Sequence, residues 1–185
     1  MVTRQASKLT LKAVRDRLGY QAKVSQSFDL WLELLPLSLM DQQQIEQLQE
    51  NFQRYLLDGR VLEGQVRLLA IAPLLQLSGF YDPPNRILVE ESIETIQIPQ
   101  DAVEITGRFD LVVVNPLLER MHGGDFWILV VESKESQIDA LAGLPQLLAY
   151  AYTSLSNQQR VWGLTTNGVS YRFVLIEAGE VPTYH

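Results

Sequence analysis

The chain has 185 residues, 46% apolar and 20% charged, with a net charge of −7. That describes one globular domain, long enough to bury roughly 68–70% of its unfolded surface, and not a disordered chain. With no cysteine and only His122 and His185, it excludes a disulfide framework, a thiolate zinc site, a cysteine nucleophile and a multi-histidine metal site.

No apolar run approaches the roughly 20 residues of a membrane helix, and no signal-peptide pattern opens the chain. The expectation is a soluble cytoplasmic protein without membrane contact. Charge is unevenly spread: residues 1–25 carry +5, through Arg4, Lys8, Lys12, Arg15, Arg17 and Lys23 against Asp16, and the remainder −12. A basic nucleic-acid footprint is therefore absent from most of the chain. The basic start can meet phosphate, or it can be a solvated helix face.

Residues Leu9–Leu18 read as a short helix. Phe28–Leu39 is apolar, contains Pro36 and has no clean period. Asp41 followed by Gln44 resembles a capping box with Asp41 as N-cap. Ile45, Leu48, Phe52 and Leu56 then follow at helical spacing, and Gly59 marks the end. A second helix is predicted over Leu62–Leu77, apolar on most sides, with Pro73 kinking or breaking it. Asp82-Pro83-Pro84-Asn85 turns the chain.

Strands are predicted over Arg86–Ile98 (one or two), Val103–Asn115 and Asp125–Ser133. Ile138–Leu155 reads as a helix, disturbed near its start by Gly143 and Pro145. Arg160–Thr166 and Val169–Ile176 flank Asn167-Gly168, a strong hairpin signal, with Asn167 expected at positive φ. The order is that of a mixed α/β domain without repeats.

Two strands carry carboxylates. Asp110 interrupts the buried run Phe109-Asp110-Leu111-Val112-Val113-Val114, and a buried carboxylate is costly unless paired or metal-bound. Glu132 and Lys134 end the apolar strand Phe126–Lys134, two apart and so on one face. Asp110 and Glu132 each lie 11 residues from Met121. An antiparallel hairpin centred there sets them directly opposite, with Cβ atoms roughly 4.5–5.5 Å apart. Two carboxylates that close repel unless they share a cation, and Mg²⁺ prefers oxygen ligands. Lys134 beside them can orient a water or offset charge on a phosphate, which makes a phosphodiester-hydrolysis site. Taken singly, these residues have plainer readings: Glu-x-Lys can end a strand at solvent, and Asp110 can pair with Arg108 or Arg172.

In this order the residues resemble the PD-(D/E)xK nuclease superfamily, most closely the N-terminal nuclease domain of type I restriction motor subunits. The matching segments are Glu63-Gly64-Gln65-Val66-Arg67, Gly107–Val114, Glu132-Ser133-Lys134, Gln146–Tyr150 and Thr166-Asn167-Gly168. Phe109 stands where the family has proline.

The resemblance implies a restriction-endonuclease-like mixed central sheet flanked by helices over residues 61–185, with 1–60 as an N-terminal helical extension packed on it. It implies a DNA phosphodiester hydrolase using Mg²⁺, or Mn²⁺ in its place. Asp110, Glu132, Lys134, Glu63 and Gln146 would be the catalytic set, and Asp110, Glu132 and the Ser133 carbonyl the metal ligands. The alternative is a catalytically inactive module that binds nucleic acid or protein. Glu63 can support the metal or pair with Arg67, four residues on. Gln146 can contact DNA phosphate or position water, and Tyr150 reads as a core aromatic with a satisfied hydroxyl. No Gly-x-x-x-x-Gly-Lys loop is present, so a motor or specificity subunit, if one takes part, is a separate polypeptide.

Overall fold

The computed structural model describes residues 2–24, 28, 32, 34–117 and 127–185. His122, the Met121 loop centre and residues 29–31 and 33 of the apolar Phe28–Leu39 stretch fall outside that set. Among the described residues no helix is long and apolar enough to cross a membrane.

The first 22 residues are not only helical. β1 (Val2–Gln5) pairs in parallel with β5 (Val103–Thr106), and β2 (Gln21–Ala22) with β10 (Thr183–Tyr184). The expected helical extension over 1–60 is therefore corrected: its start is woven into two sheets. Between these strands, α1 (Leu11–Leu18) is capped by Thr10, whose hydroxyl accepts from Ala13 N–H, and it stops at Gly19 in the left-handed region.

The N-cap of α2 (Leu39–Asp58) is Ser38, three residues before the expected Asp41. Asp41 sits at N3 and answers the Ser38 N–H, so the capping box is Ser38 with Asp41 and not Asp41 with Gln44. The helix ends at Gly59 as expected. The next helix runs as α3 (Glu63–Val66), a π turn (Arg67–Ile71) and α4 (Ala72–Leu77). Pro73 explains the wide turn. It lacks an N–H, and its ring conflicts with the carbonyl four residues back. The chain answers by adding a residue, with Ala72 N–H bonding the Arg67 carbonyl.

The remaining elements are β3 (Arg86–Val89), β4 (Ile96–Ile98), β6 (Leu111–Val114), β7 (Trp127–Ser133), a 3₁₀ turn (Ala140–Gly143), α5 (Leu144–Ser154), β8 (Arg160–Thr166) and β9 (Tyr171–Glu177). The stretch expected as one strand from Val103 is two, β5 and β6, separated at Gly107–Asp110. A seven-stranded mixed sheet has the order β2-β10-β9-β8-β7-β6-β3, and a smaller one the order β1-β5-β4. β7 and β8 are parallel, joined across one face by α5, while β6–β7 and β8–β9 are antiparallel.

Alternation along the strands sends side chains to two cores. On one face, Val112 and Val130 meet Val14 of α1 and Leu144, Leu147 and Leu148 of α5. On the other, Leu111, Val113, Leu129 and Val131 meet Phe52 of α2 and Val66, Ala70, Ile71 and Leu75 of the π-bulged helix. Each such aliphatic side chain removed from water contributes roughly 1.5–3 kcal/mol. The main sheet is thus covered on both faces by helices.

The β8–β9 turn corrects one expectation. The positive φ belongs to Gly168 (+82°), not to Asn167. A Cβ at Gly168 would lie 2.1 Å from Phe52 Cζ, so the glycine also lets α2 close on the hairpin. Asn167 is buried and works through its side chain. Oδ1 accepts from Val169 and Ser170 N–H, and Nδ2 donates to the Ile138 carbonyl, which ties the turn to the segment before α5.

Candidate metal centre

The chemistry gathers where β7 ends and β6 begins. Leu111 pairs with Val131 and Val112 with Val130, so the same register sets Asp110 opposite Glu132. The one irregularity falls between Val113 and Val114, away from this end. Both carboxylates lie on the α5 side of the sheet, in phase with Val112 and Val130.

Asp110 is fixed by its neighbour across the pair. Ser133 N–H and the Ser133 hydroxyl both donate to Asp110 Oδ2, at 2.7 and 2.5 Å. Ser133 was expected to offer its carbonyl to a metal; its amide and hydroxyl are engaged in holding Asp110.

Glu132 is 1% exposed. Its Oε1 accepts from Lys134 Nζ at 2.5 Å. Its Oε2 is buried with no hydrogen-bond partner among the described residues, a costly state for a carboxylate oxygen. Gly143 packs closely on it: a Cβ there would stand 2.9 Å from Glu132 Cγ. Burial pushes the Glu132 carboxyl up to about 8, Asp110 and Glu63 add to the rise, and Lys134 opposes it. For Lys134, burial works to lower its value. The carboxylates of Glu132, Glu63 and Asp110 outweigh that and hold it above the ordinary lysine range. Lys134 is therefore a cation throughout the neutral range.

Glu63 arrives from the other side. It opens the helix that packs on the opposite face, and its half-exposed carboxylate reaches past the sheet end to Lys134 Nζ, at 3.5 Å. One carboxylate oxygen each from Glu63, Asp110 and Glu132 lie within 4.8 Å of one another. An octahedral Mg²⁺ shell with 2.1 Å bonds spans roughly 4.2 Å. An all-oxygen donor set around an unpartnered buried carboxylate oxygen fits a hard divalent cation and gives no reason to prefer a softer one.

Gln146 and Tyr150 form a chain behind the lysine. The Tyr150 hydroxyl donates its single proton to the Arg108 carbonyl at 2.6 Å, so it must accept from Gln146 Nε2, also at 2.6 Å. That sets the amide, and Gln146 Oε1 faces Lys134 Nζ at 3.3 Å. Gln146 is thus placed against the lysine. Tyr150 is a buried aromatic with a satisfied hydroxyl, and burial holds its proton well above the usual tyrosine range.

The pairings open in the sequence are resolved by reach. Arg67 does not turn to Glu63; its NH1 faces Glu90 Oε1 at 2.9 Å and Asp110 Oδ1 at 3.5 Å. Asp110 therefore meets Arg67, not Arg108 or Arg172; Arg108 lies 3.9 Å from Glu90 instead. Arg67 entered the sequence reading only as a partner for Glu63, and Glu90 is the residue of this cluster to which the sequence assigned no role. Glu90 carried no signal, since a glutamate just after an apolar strand reads as solvated turn. Its backbone, at φ 53°, is unusual for a residue with a side chain.

A groove of about 600 Å³ lies apart from the carboxylates, between α2, the π-bulged helix and the β8–β9 turn. Among the described residues no charged side chain lines it. Compared with known proteins, the chain matches no protein-family model, no curated sequence and no solved structure at a significant level.

Proposed function

We propose that this chain is a divalent-metal-dependent nuclease of the restriction-endonuclease-like class, hydrolysing phosphodiester bonds in DNA. The observation that carries the reading is the meeting of Asp110, Glu132 and Lys134 at the ends of two adjacent strands, with Glu63 brought in from a separate helix and Glu132 Oε2 left without a partner among the described residues. Glu63, Asp110 and Glu132 would hold Mg²⁺ or Mn²⁺, with the Ser133 carbonyl as a further ligand by resemblance. A bound ion of this kind supplies Lewis acidity toward a phosphate and lowers the pKa of a water.

The protein's own groups do the rest. The Lys134 ammonium lies beside the carboxylates and offsets negative charge as it develops on the phosphate, an effect exerted mainly in the transition state. Gln146 is a positioning residue: held by Tyr150, it keeps Lys134 aimed into the cluster. A separate motor or specificity subunit would act as a partner polypeptide.

A second reading is a nuclease fold that binds without cutting. The net charge of −7 favours it, because DNA affinity draws on cationic contacts to phosphate. Plasmid and single-stranded DNA incubated with Mg²⁺, Mn²⁺ or Ca²⁺ decide between the two. Cleavage with Mg²⁺ or Mn²⁺ that Asp110→Asn abolishes is the expected result. A folded protein that cuts with none of these ions overturns the nuclease reading and leaves the binding module.

A further inference from the structure

Arg67 has no part in the reading above, yet it stands inside the carboxylate cluster. Its contacts with Glu90 and Asp110 leave from one nitrogen, NH1, and they are unequal, 2.9 Å to Glu90 and 3.5 Å to Asp110. The oxygens of Asp110 are unequal too. Oδ2 is filled by the two Ser133 donors, and Oδ1 is the one that Arg67 faces. Oδ1 is therefore the oxygen that a cation would take, and the guanidinium and the cation seek the same atom.

Glu90 is placed to receive the guanidinium when it leaves. Its N–H bonds the Asp110 carbonyl at 3.2 Å, which fastens its backbone beside Asp110. Its carboxylate already holds the shorter Arg67 contact. Backbone in a sparsely populated region persists where the surrounding structure over-determines it, and such positions cluster at functional sites. The side chain of Arg67 is 26% exposed, so its remaining N–H donors can reach a ligand entering from solvent.

We infer that Arg67 and a divalent cation exchange at Asp110 Oδ1, with Glu90 as the second seat of the guanidinium, and that Arg67 then receives an anionic oxygen of the substrate. Only the identity of that anion, a phosphodiester, rests on the nuclease reading. The guanidinium is suited to both tasks, because its planar fork matches carboxylate and phosphate alike.

Calorimetric Mn²⁺ titration of the full chain tests the exchange without any DNA. Arg67→Met removes the competing cation and is expected to bind Mn²⁺ about tenfold more tightly than wild type, the scale of one charge removed from a carboxylate's side. Glu90→Gln removes the second seat and is expected to weaken Mn²⁺ binding, and in the Arg67→Met background it should change little. Should Arg67→Met fail to fold, as read by circular dichroism, Arg67→Lys with Glu90→Gln carries the test. A folded Arg67→Met that binds Mn²⁺ as wild type does, or more weakly, overturns the exchange.

Binding of a short DNA duplex in Ca²⁺ tests the second task. Arg67→Met should lose about tenfold in affinity with Ca²⁺ and nothing without it, in keeping with one lost charge-assisted phosphate contact. Equal affinity in Ca²⁺ overturns that role. Wild type that shows the Mn²⁺ pattern but cuts no DNA overturns the nuclease reading and leaves the exchange standing. Wild type that cuts DNA while Arg67 has no effect on Mn²⁺ does the reverse.

Discussion

A cation entering this centre must displace a proton. Glu132 is pushed up to about 8 by burial and by Asp110, so at pH 7 about one-tenth of it is ionised beforehand. Having to ionise it lowers the apparent affinity about tenfold at pH 7. Mg²⁺ affinity should therefore rise about tenfold from pH 7 to 9, fall about tenfold from pH 7 to 6, and level off above pH 9. Near pH 7 each ion bound should release close to one proton. Lys134 is held above its ordinary range and stays charged throughout, so it contributes nothing to this slope. Calorimetric titration at four pH values, in two buffers of different ionisation enthalpy, reads both the affinity and the proton count. The sign for folding is opposite. A carboxyl raised from 4.5 to about 8 binds more protons folded than unfolded. The stability it contributes is full below 4.5 and is lost as pH rises through 8. An affinity flat from pH 6 to 9, with no proton released, would refute the reasoning that burial controls Glu132.

Three further outcomes are expected. Lys134→Met should cut DNA about 10²-fold more slowly, as for other removed transition-state donors, while Mg²⁺ affinity in calorimetry is kept or improved; wild-type cutting would reduce Lys134 to a structural ion pair. Tyr150→Phe strips the partner from both the Arg108 carbonyl and Gln146 Nε2 and should lower unfolding free energy by about 1–3 kcal/mol in urea melts. Gly168→Ala meets both a left-handed backbone and the Phe52 ring and should cost about 1–3 kcal/mol; an unchanged urea midpoint would show that α2 is not seated on that turn.

Much of the site was written in short-range order. Alternation alone set Glu132 and Lys134 in phase, and counting from Met121 put Asp110 opposite Glu132, because antiparallel register is arithmetic once two strands are known to be neighbours. The four-residue spacing of Gln146 and Tyr150 likewise placed them on one helix face. Which way each side chain turned was another matter. Gln146 could only be oriented once the Tyr150 hydroxyl had met the Arg108 carbonyl, 42 residues away in the chain. Pro73 announced a disturbance in its helix, but whether a kink or a π turn relieved it depended on packing against the sheet.

What the sequence by itself determined is therefore the main helices, the longer central strands and the carboxylate pair, since these follow from periods of two and 3.6 residues acting over a few turns. Tertiary structure alone decided the rest. β1 and β2 became strands because their partners, β5 and β10, lie more than 90 residues further on, beyond any local pattern. Glu63 joined Asp110 and Glu132 from the opposite face because its helix starts where the sheet ends. Arg67 chose Asp110 and Glu90 over the Glu63 beside it in sequence. Ion pairing follows distance and desolvation in three dimensions, and neither is encoded in spacing along the chain.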